Sequence, residues 1–179
     1  VGALQIAIDD IGPEGLDLDE VLSPTQLADA LGDTRVLKPA HEGRLTVRLQ
    51  KFDDTVQVEG RIRVAFETQC SRCLAPTPVA IDTPLRVTMV PVGKEPDPGS
   101  EGEMDPEAMG VAAYENQEID LAALLRDEVF LELPMNPLCS ETCAGLCSTC
   151  GKDLNQGPCD CKPQADDRWQ ALKHIKLSS

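Results

Sequence analysis

Eight cysteines are the residues of this 179-residue chain best suited to chemistry, and their spacing is uneven. Cys70-x2-Cys73 stands alone in mid-chain, while Cys139-x3-Cys143-x3-Cys147-x2-Cys150-x8-Cys159-x-Cys161 crowds the end. A Cys-x2-Cys turn lets two thiolates reach one ion at about 2.3 Å, and a glycine after the second cysteine, as in "LCSTCGK", lets the following amides turn toward the sulfurs. Zinc takes four thiolates in a tetrahedron, so eight cysteines make up to two closed sites, each structural because no position stays open to activate water. Structural zinc, one or two ions, is therefore the expected cofactor.

Three other uses of clustered thiols compete. Disulfides need an oxidising compartment, for which the sequence carries no signal. A thioredoxin-type redox centre, or a thiol-based redox or metal sensor built on Cys70 and Cys73, needs a thiol of lowered pKa, usually at a strand-to-helix junction; "CSRCLAPTP" lies between two strand-like stretches instead. An iron-sulfur cluster also takes four thiolates, and spacing does not separate it from zinc.

Two partitions of the ligands are plausible. In the first, Cys147, Cys150, Cys159 and Cys161 share an ion, because "GKDLNQGP" is a short loop whose ends meet at little entropic cost. Cys139 and Cys143 then join Cys70 and Cys73 and pin the tail to the strands. In the second, Cys139, Cys143, Cys147 and Cys150 form one site, and Cys159 and Cys161 go to Cys70 and Cys73. Either way a metal closes a long loop, and its loss should loosen the C-terminal third.

The elements that position these cysteines are legible in the hydrophobic pattern. "GRLTVRLQ" alternates Leu45, Val47 and Leu49 against polar residues; "TVQVEGRIRVAFET" places Val56, Val58, Ile62, Val64 and Phe66 on one face, with Gly60 in register; "VAIDTPLRVTMV" does the same with Val79, Ile81, Leu85, Val87 and Met89. Pro84 interrupts the third and predicts a bulge or an edge there. Short connections join the three strands, so the expected fold is α+β: an antiparallel, meander-type sheet, or an open barrel, with a few short helices and a C-terminal zinc-knuckle appendage. One helix is predicted at "LSPTQLADALG", capped by Ser23 with Gln26 three residues on and stopped at Gly32; a second follows Asp120 and ends before Pro134. Residues 1–134 form the sheet domain, with an acidic Pro/Gly-rich loop near 93–112; residues 135–163 form the Cys-rich segment. A C-terminal helix over 164–179 carries Trp169, Leu172 and Ile175 at helical spacing.

Composition narrows the function. The formal net charge is -15, and four thiolates on each of two zinc ions would make it -19 (-15 and two sites of -2 each). Such a protein repels a nucleic acid backbone and attracts basic partners. Locally the balance differs: residues 35–72 hold eight Lys or Arg against five acids, whereas residues 95–141 hold thirteen acids against Arg126 alone. The first stretch offers Arg44, Arg48, Lys51, Arg61, Arg63 and Arg72 as RNA contacts, although charged residues on strands also simply line the solvent side of a sheet. No phosphate loop, nucleophile elbow or metalloprotease motif occurs, and His41 and His174 sit in no catalytic pattern, so no enzyme is expected. No run of about 18 apolar residues is present, and "VGALQIAIDDIGPEGLD" lacks the features of a signal peptide; a soluble, cytoplasmic protein is expected.

"FETQCSRCLAPTPVAID", "EIDLAALLRDEVFLELPMNPLC" and "CAGLCSTCGKDLNQGPCDC", in that order, resemble the motifs of the YceD family, the large ribosomal RNA subunit accumulation proteins. The resemblance covers roughly residues 40 to 178. It implies a non-enzymatic factor in ribosome biogenesis. With the charge, it leads to an expected partner: a basic large-subunit ribosomal protein or a pre-ribosomal particle, held through the acidic face near residues 95–132, with direct contact to ribosomal RNA as the alternative.

Overall fold

A computed structural model describes residues 4–32, 37–94 and 110–161 of the chain. The strands are β1 (Gln5–Ala7), β2 (Leu16–Leu22), β3 (Lys38–Pro39), β4 (Gly43–Phe52), β5 (Thr55–Gln69), β6 (Pro76–Pro91), β7 (Gly110–Tyr114) and β8 (Glu118–Asp120). The helices are α1 (Pro24–Leu31) and α2 (Leu121–Glu132). The main sheet runs β2-β4-β5-β6-β7, with β3 also on β5, and β1 pairs with β8 apart from it.

The meander β4-β5-β6 is antiparallel and in unbroken register from Val56 opposite Met89 to Gln69 opposite Pro76. Two expectations are corrected here. The sheet is mixed, because β7 returns parallel to β6 after a connection too long for a hairpin. It also stays open rather than closing into a barrel: α1 and α2 cover its inner face, so the apolar positions are buried without strand closure. Pro84 introduces no bulge. It pairs with Arg61 in regular register, on a part of β6 that β7, paired only from Val87 onward, does not reach. An edge position is where a residue without an N–H belongs.

The inner face carries the core. Leu45, Val47, Leu49, Val56, Val58, Ile62, Val64, Phe66, Ile81, Leu85, Val87 and Met89 pack beneath Leu27 and Leu31 of α1 and Leu121, Leu124, Leu125 and Val129 of α2. Gly60 faces Val47 at the tightest crossing: a Cβ there would lie 2.0 Å from the carbonyl oxygen of Thr46 and 2.8 Å from the Cα of Val47. Only glycine permits β4 and β5 to approach so closely.

Both helices start as their sequences dictate. Ser23 Oγ accepts the amide of Gln26, and Gln26 Oε1 accepts the amide of Ser23, a reciprocal box that satisfies two otherwise orphan donors. Asp120 Oδ1 accepts the amides of Ala122 and Ala123 at 2.9 and 3.1 Å. The acidic loop expected over 93–112 is shorter at its far end, because Gly110–Tyr114 is a strand. Residues 95–109 of that loop, and the helix expected over 164–179, lie outside the described residues.

Candidate metal centre

The β5-β6 connection carries Cys70 and Cys73 to the end of the sheet, and the chain after α2 brings Cys139 and Cys143 back onto them. The Sγ atoms of these four lie within 4.8 Å of one another, as do those of Cys147, Cys150, Cys159 and Cys161. This grouping is the first of the two partitions. Within the inner quartet Cys70 and Cys143 approach to 3.8 Å and Cys73 and Cys139 to 3.5 Å, with no disulfide formed. Four sulfurs about 2.3 Å from one tetrahedral ion are separated by about 3.8 Å, so these spacings suit a single ion. A multinuclear iron cluster would spread its thiolates further, because iron and sulfide stand between them.

The two Cys-x2-Cys turns share one geometry. In the first, the amide of Arg72 points at Cys70 Sγ (3.4 Å), that of Leu74 donates to the Cys70 carbonyl (2.9 Å), and that of Cys70 donates to Ala75 O (2.9 Å). In the second, Thr149 does the same toward Cys147 Sγ (3.4 Å), Gly151 toward the Cys147 carbonyl (2.9 Å), and Cys147 toward Lys152 O (2.8 Å). The residue after the second cysteine is left-handed in both, with φ of 73° at Gly151 and 61° at Leu74. Amides aimed at sulfur favour the charged thiolate that a metal requires.

Without a metal the sulfurs compete for protons. The backbone amide of Cys139, ahead of those of Cys73 and Arg72, holds the Cys70 thiol down to about 6. The amides of Cys150 and Thr149 hold Cys147 down to about 6. Cys139 is pushed up to about 12 chiefly by its hydrogen bond with Cys73, and Cys161 is pushed up to about 12 chiefly by Cys150. A divalent cation replaces those protons, which makes loading pH-dependent.

The inner quartet is also a clasp. Cys70, Cys73 and Cys143 are buried and pack with Ala75, Leu138 and Leu146 in a small cluster separate from the main core. Ser71 N donates to Pro137 O (2.8 Å), Leu146 N to Arg72 O (3.1 Å), and Arg72 Nη1 to Cys143 O (2.9 Å). Arg72, grouped by sequence with the candidate RNA contacts, is thus committed to the clasp.

The other arginines of that group share the outer face of the sheet, and register places carboxylates beside them. Arg44 makes a two-pronged ion pair with Asp19 (2.7 and 2.6 Å), Arg48 pairs with Asp17 (2.8 Å), and Asp82 takes both Arg61 and Arg63. Glu59 stands opposite both Arg48 and Arg86. Lys51, at the end of β4, has the opposite parity and does not join them. The face is therefore a lattice of compensated charge.

A second concave feature was not foreseen. Between β7, β8 and α2 lies a groove of about 260 Å³ with Met89, Ala112, Tyr114 and Leu124 among its lining and Glu115, Glu118, Asp120 and Asp127 around it. Its acids belong to the run noted in the sequence, but the groove also draws on Met89 of β6 and on β7, whose parallel pairing with β6 no local pattern announces.

The family profile described as "Large ribosomal RNA subunit accumulation protein YceD" matches residues 58–176, two thirds of the chain and both cysteine groups. The chain belongs to the YceD family. Among YceD relatives, "Large ribosomal RNA subunit accumulation protein YCED homolog 1, chloroplastic" of Zea mays is 28% identical over 192 aligned positions, covering 90% of this chain and 66% of the maize protein. An uncharacterized protein of Mycobacterium tuberculosis (strain ATCC 25618 / H37Rv) is 30% identical over 128 positions, 72% of this chain and 59% of its own. The Arabidopsis thaliana chloroplastic YCED homolog 1 is 39% identical over 54 positions, which cover 30% of this chain and 17% of that protein. The chain thus spans less than two thirds of the length of these relatives. No solved structure matches it. Among the described residues, no helix is long and apolar enough to cross a membrane.

Proposed function

We propose that this chain is a non-enzymatic, cytoplasmic factor that supports accumulation of large-subunit ribosomal RNA by holding a basic segment of a large-subunit ribosomal protein, free or within a pre-ribosomal particle. Family membership supports the ribosomal role, and the groove between β7, β8 and α2 carries the choice of partner. Its apolar floor suits the aliphatic stem of a lysine or arginine, and Glu115, Glu118 and Asp120 can receive the charged head beside Asp127, which also has Arg126 at 3.7 Å; no cation is among the lining residues. Direct recognition of RNA is the weaker reading, since the sheet arginines already have carboxylate partners. The two quartets hold one structural zinc each, and eight unpaired thiols fit a reducing compartment.

The test is capture of large-subunit precursors and proteins by the tagged chain across a salt gradient. Capture is expected at low salt, falling as salt screens the groove, and lost in the Glu118→Lys/Asp127→Lys variant. Equal capture by that variant, or none from the wild-type chain at low salt, refutes the proposal.

A further inference from the structure

The loop between Cys150 and Cys159 closes the outer quartet, yet its most connected side chain serves the inner one. Asn155 Nδ2 donates to Cys143 Sγ at 3.4 Å and to Asp153 Oδ1 at 2.8 Å, while Asn155 Oδ1 accepts the amide of Ala144 at 2.8 Å. One carboxamide thus uses two donors and an acceptor at once, a combination that among short side chains only asparagine offers. The loop aims it firmly. Asp153 Oδ1 also accepts the amide of Asn155 (2.9 Å), Asp153 Oδ2 accepts Gln156 Nε2 (3.1 Å), Leu154 N donates to Gly145 O (2.9 Å), and Leu146 and Asp153 form an antiparallel bridge.

We propose that Asn155 couples the two four-cysteine sites, so that zinc in the outer quartet sets the loop that presses the Asn155 amide onto Cys143, and the inner quartet retains its zinc only as tightly as that loop is held. The proposal rests on the zinc reading of both quartets. Asn155 is a positioning residue: its amide shares the negative charge of the Cys143 thiolate and fixes the sulfur's direction. Such a donor to a metal-bound sulfur typically changes affinity 10- to 100-fold. The outer quartet is the more exposed of the two, with Cys150 open to solvent and the other three half-buried, whereas three of the inner four are buried. Zinc should therefore leave the outer site first, and that loss should loosen the inner one.

Zinc release from the full chain to a chromogenic chelator tests this, after the zinc content of each variant has been counted. The wild-type chain should carry two zinc ions per chain and release both on one slow time course set by loss of the outer ion, because the inner ion is held until the outer one has gone. Asn155→Ala changes an exposed side chain and should keep both ions while releasing the inner one ahead of the outer, about tenfold or more faster than when the loop is held. Cys147→Ala/Cys150→Ala should keep one ion and release it at that same accelerated rate, and adding Asn155→Ala to it should accelerate release no further. Absence of zinc from the wild-type chain overturns the zinc reading and the coupling with it. Two ions with a release time course unmoved by Asn155→Ala, or full additivity in the triple variant, overturn the coupling alone.

Discussion

Removing the inner centre should cost the fold much more than removing two sulfurs from its surface. The Cys70→Ala/Cys73→Ala variant deletes both sheet-side ligands. A metal held there would bridge Cys73 to Cys139, 66 residues along the sequence. For a cross-link that closes a loop of this length, the chain-entropy relation gives about 4 kcal/mol of stabilisation against the unfolded ensemble. Alanine fills most of the space of a buried cysteine, so the cavity contribution is small beside this. With a urea slope of about 2 kcal/mol per molar, the unfolding midpoint should fall by about 2 M. The main core and the cysteine cluster share no buried residue, so the far-ultraviolet signal of the sheet should survive under native conditions while the tail becomes sensitive to protease. The assay is urea unfolding in zinc-containing buffer, with metal counted on the same samples. Retention of two zinc ions, or a midpoint within about 0.3 M of the wild-type value, would show that the inner quartet is not a cross-link.

Two further outcomes follow from the turn geometry and the sulfur protons. Leu74 holds φ of 61° in the position that glycine occupies at residue 151, at a cost of about 1–2 kcal/mol for a side chain 57% exposed. Leu74→Gly should therefore stabilise by about 0.5–1 kcal/mol after the added freedom of the unfolded chain is subtracted, and a loss of stability in chemical denaturation would show that the strain is not there. In chelator-treated protein Cys147, with its thiol near 6, should be alkylated at pH 7 at a rate that falls as pH drops through about 6, whereas Cys161, near 12, should resist; one common transition near 9 would contradict this. The linkage has a definite sign: the lowered thiols contribute stability that is complete above 9 and lost as pH falls toward 6, and the raised ones contribute stability present below 9 and lost as pH rises through 12.

How much of this was readable depended on whether the information was local. Strands β4, β5 and β6 announce themselves because each alternates over a stretch long enough to bury one face, and the helix starts at Ser23 and Asp120 are written in the capping residues. Strand β2, "LDLDEVL", alternates as well, but Glu20 stands where a fourth apolar residue would have completed the pattern. Strand β7, "GVAAY", has mostly small residues and little alternation, because it is short and pairs in parallel on one side only. The charge count over residues 35–72 misses the arginines' partners for a spatial reason. Asp17, Asp19 and Asp82 lie outside that window, and antiparallel register alone brings them beside Arg44, Arg48, Arg61 and Arg63. In the same way, Cys-x2-Cys spacing identifies ligands but not the side chain that supports them; Asn155 is one polar residue in a polar loop until the fold sets its amide against Cys143.

Helix α2 runs from the acidic groove toward the inner quartet. Its first turns line the acidic groove through Asp120, Ala123, Leu124 and Asp127, and its end leads within seven residues to Cys139 of the inner quartet. The amino-terminal end is anchored by the Asp120 cap and by Leu121 N donating to Leu4 O at 2.8 Å. At the other end Glu132 accepts Thr83 Oγ1 at 3.2 Å, and beyond it Pro137 O takes the Ser71 amide. Val129 is buried in the core at that end and Leu133 packs against it, while Phe130, Leu131 and Met135 are exposed. A metal joining Cys139 and Cys143 to Cys70 and Cys73 would add a further anchor, since it would fix the chain leaving α2 to the connection between β5 and β6. The groove and the clasp thus meet on one element: the acids proposed to receive a basic partner include Asp120 and Asp127 at its first half, and the clasp sulfurs follow its last.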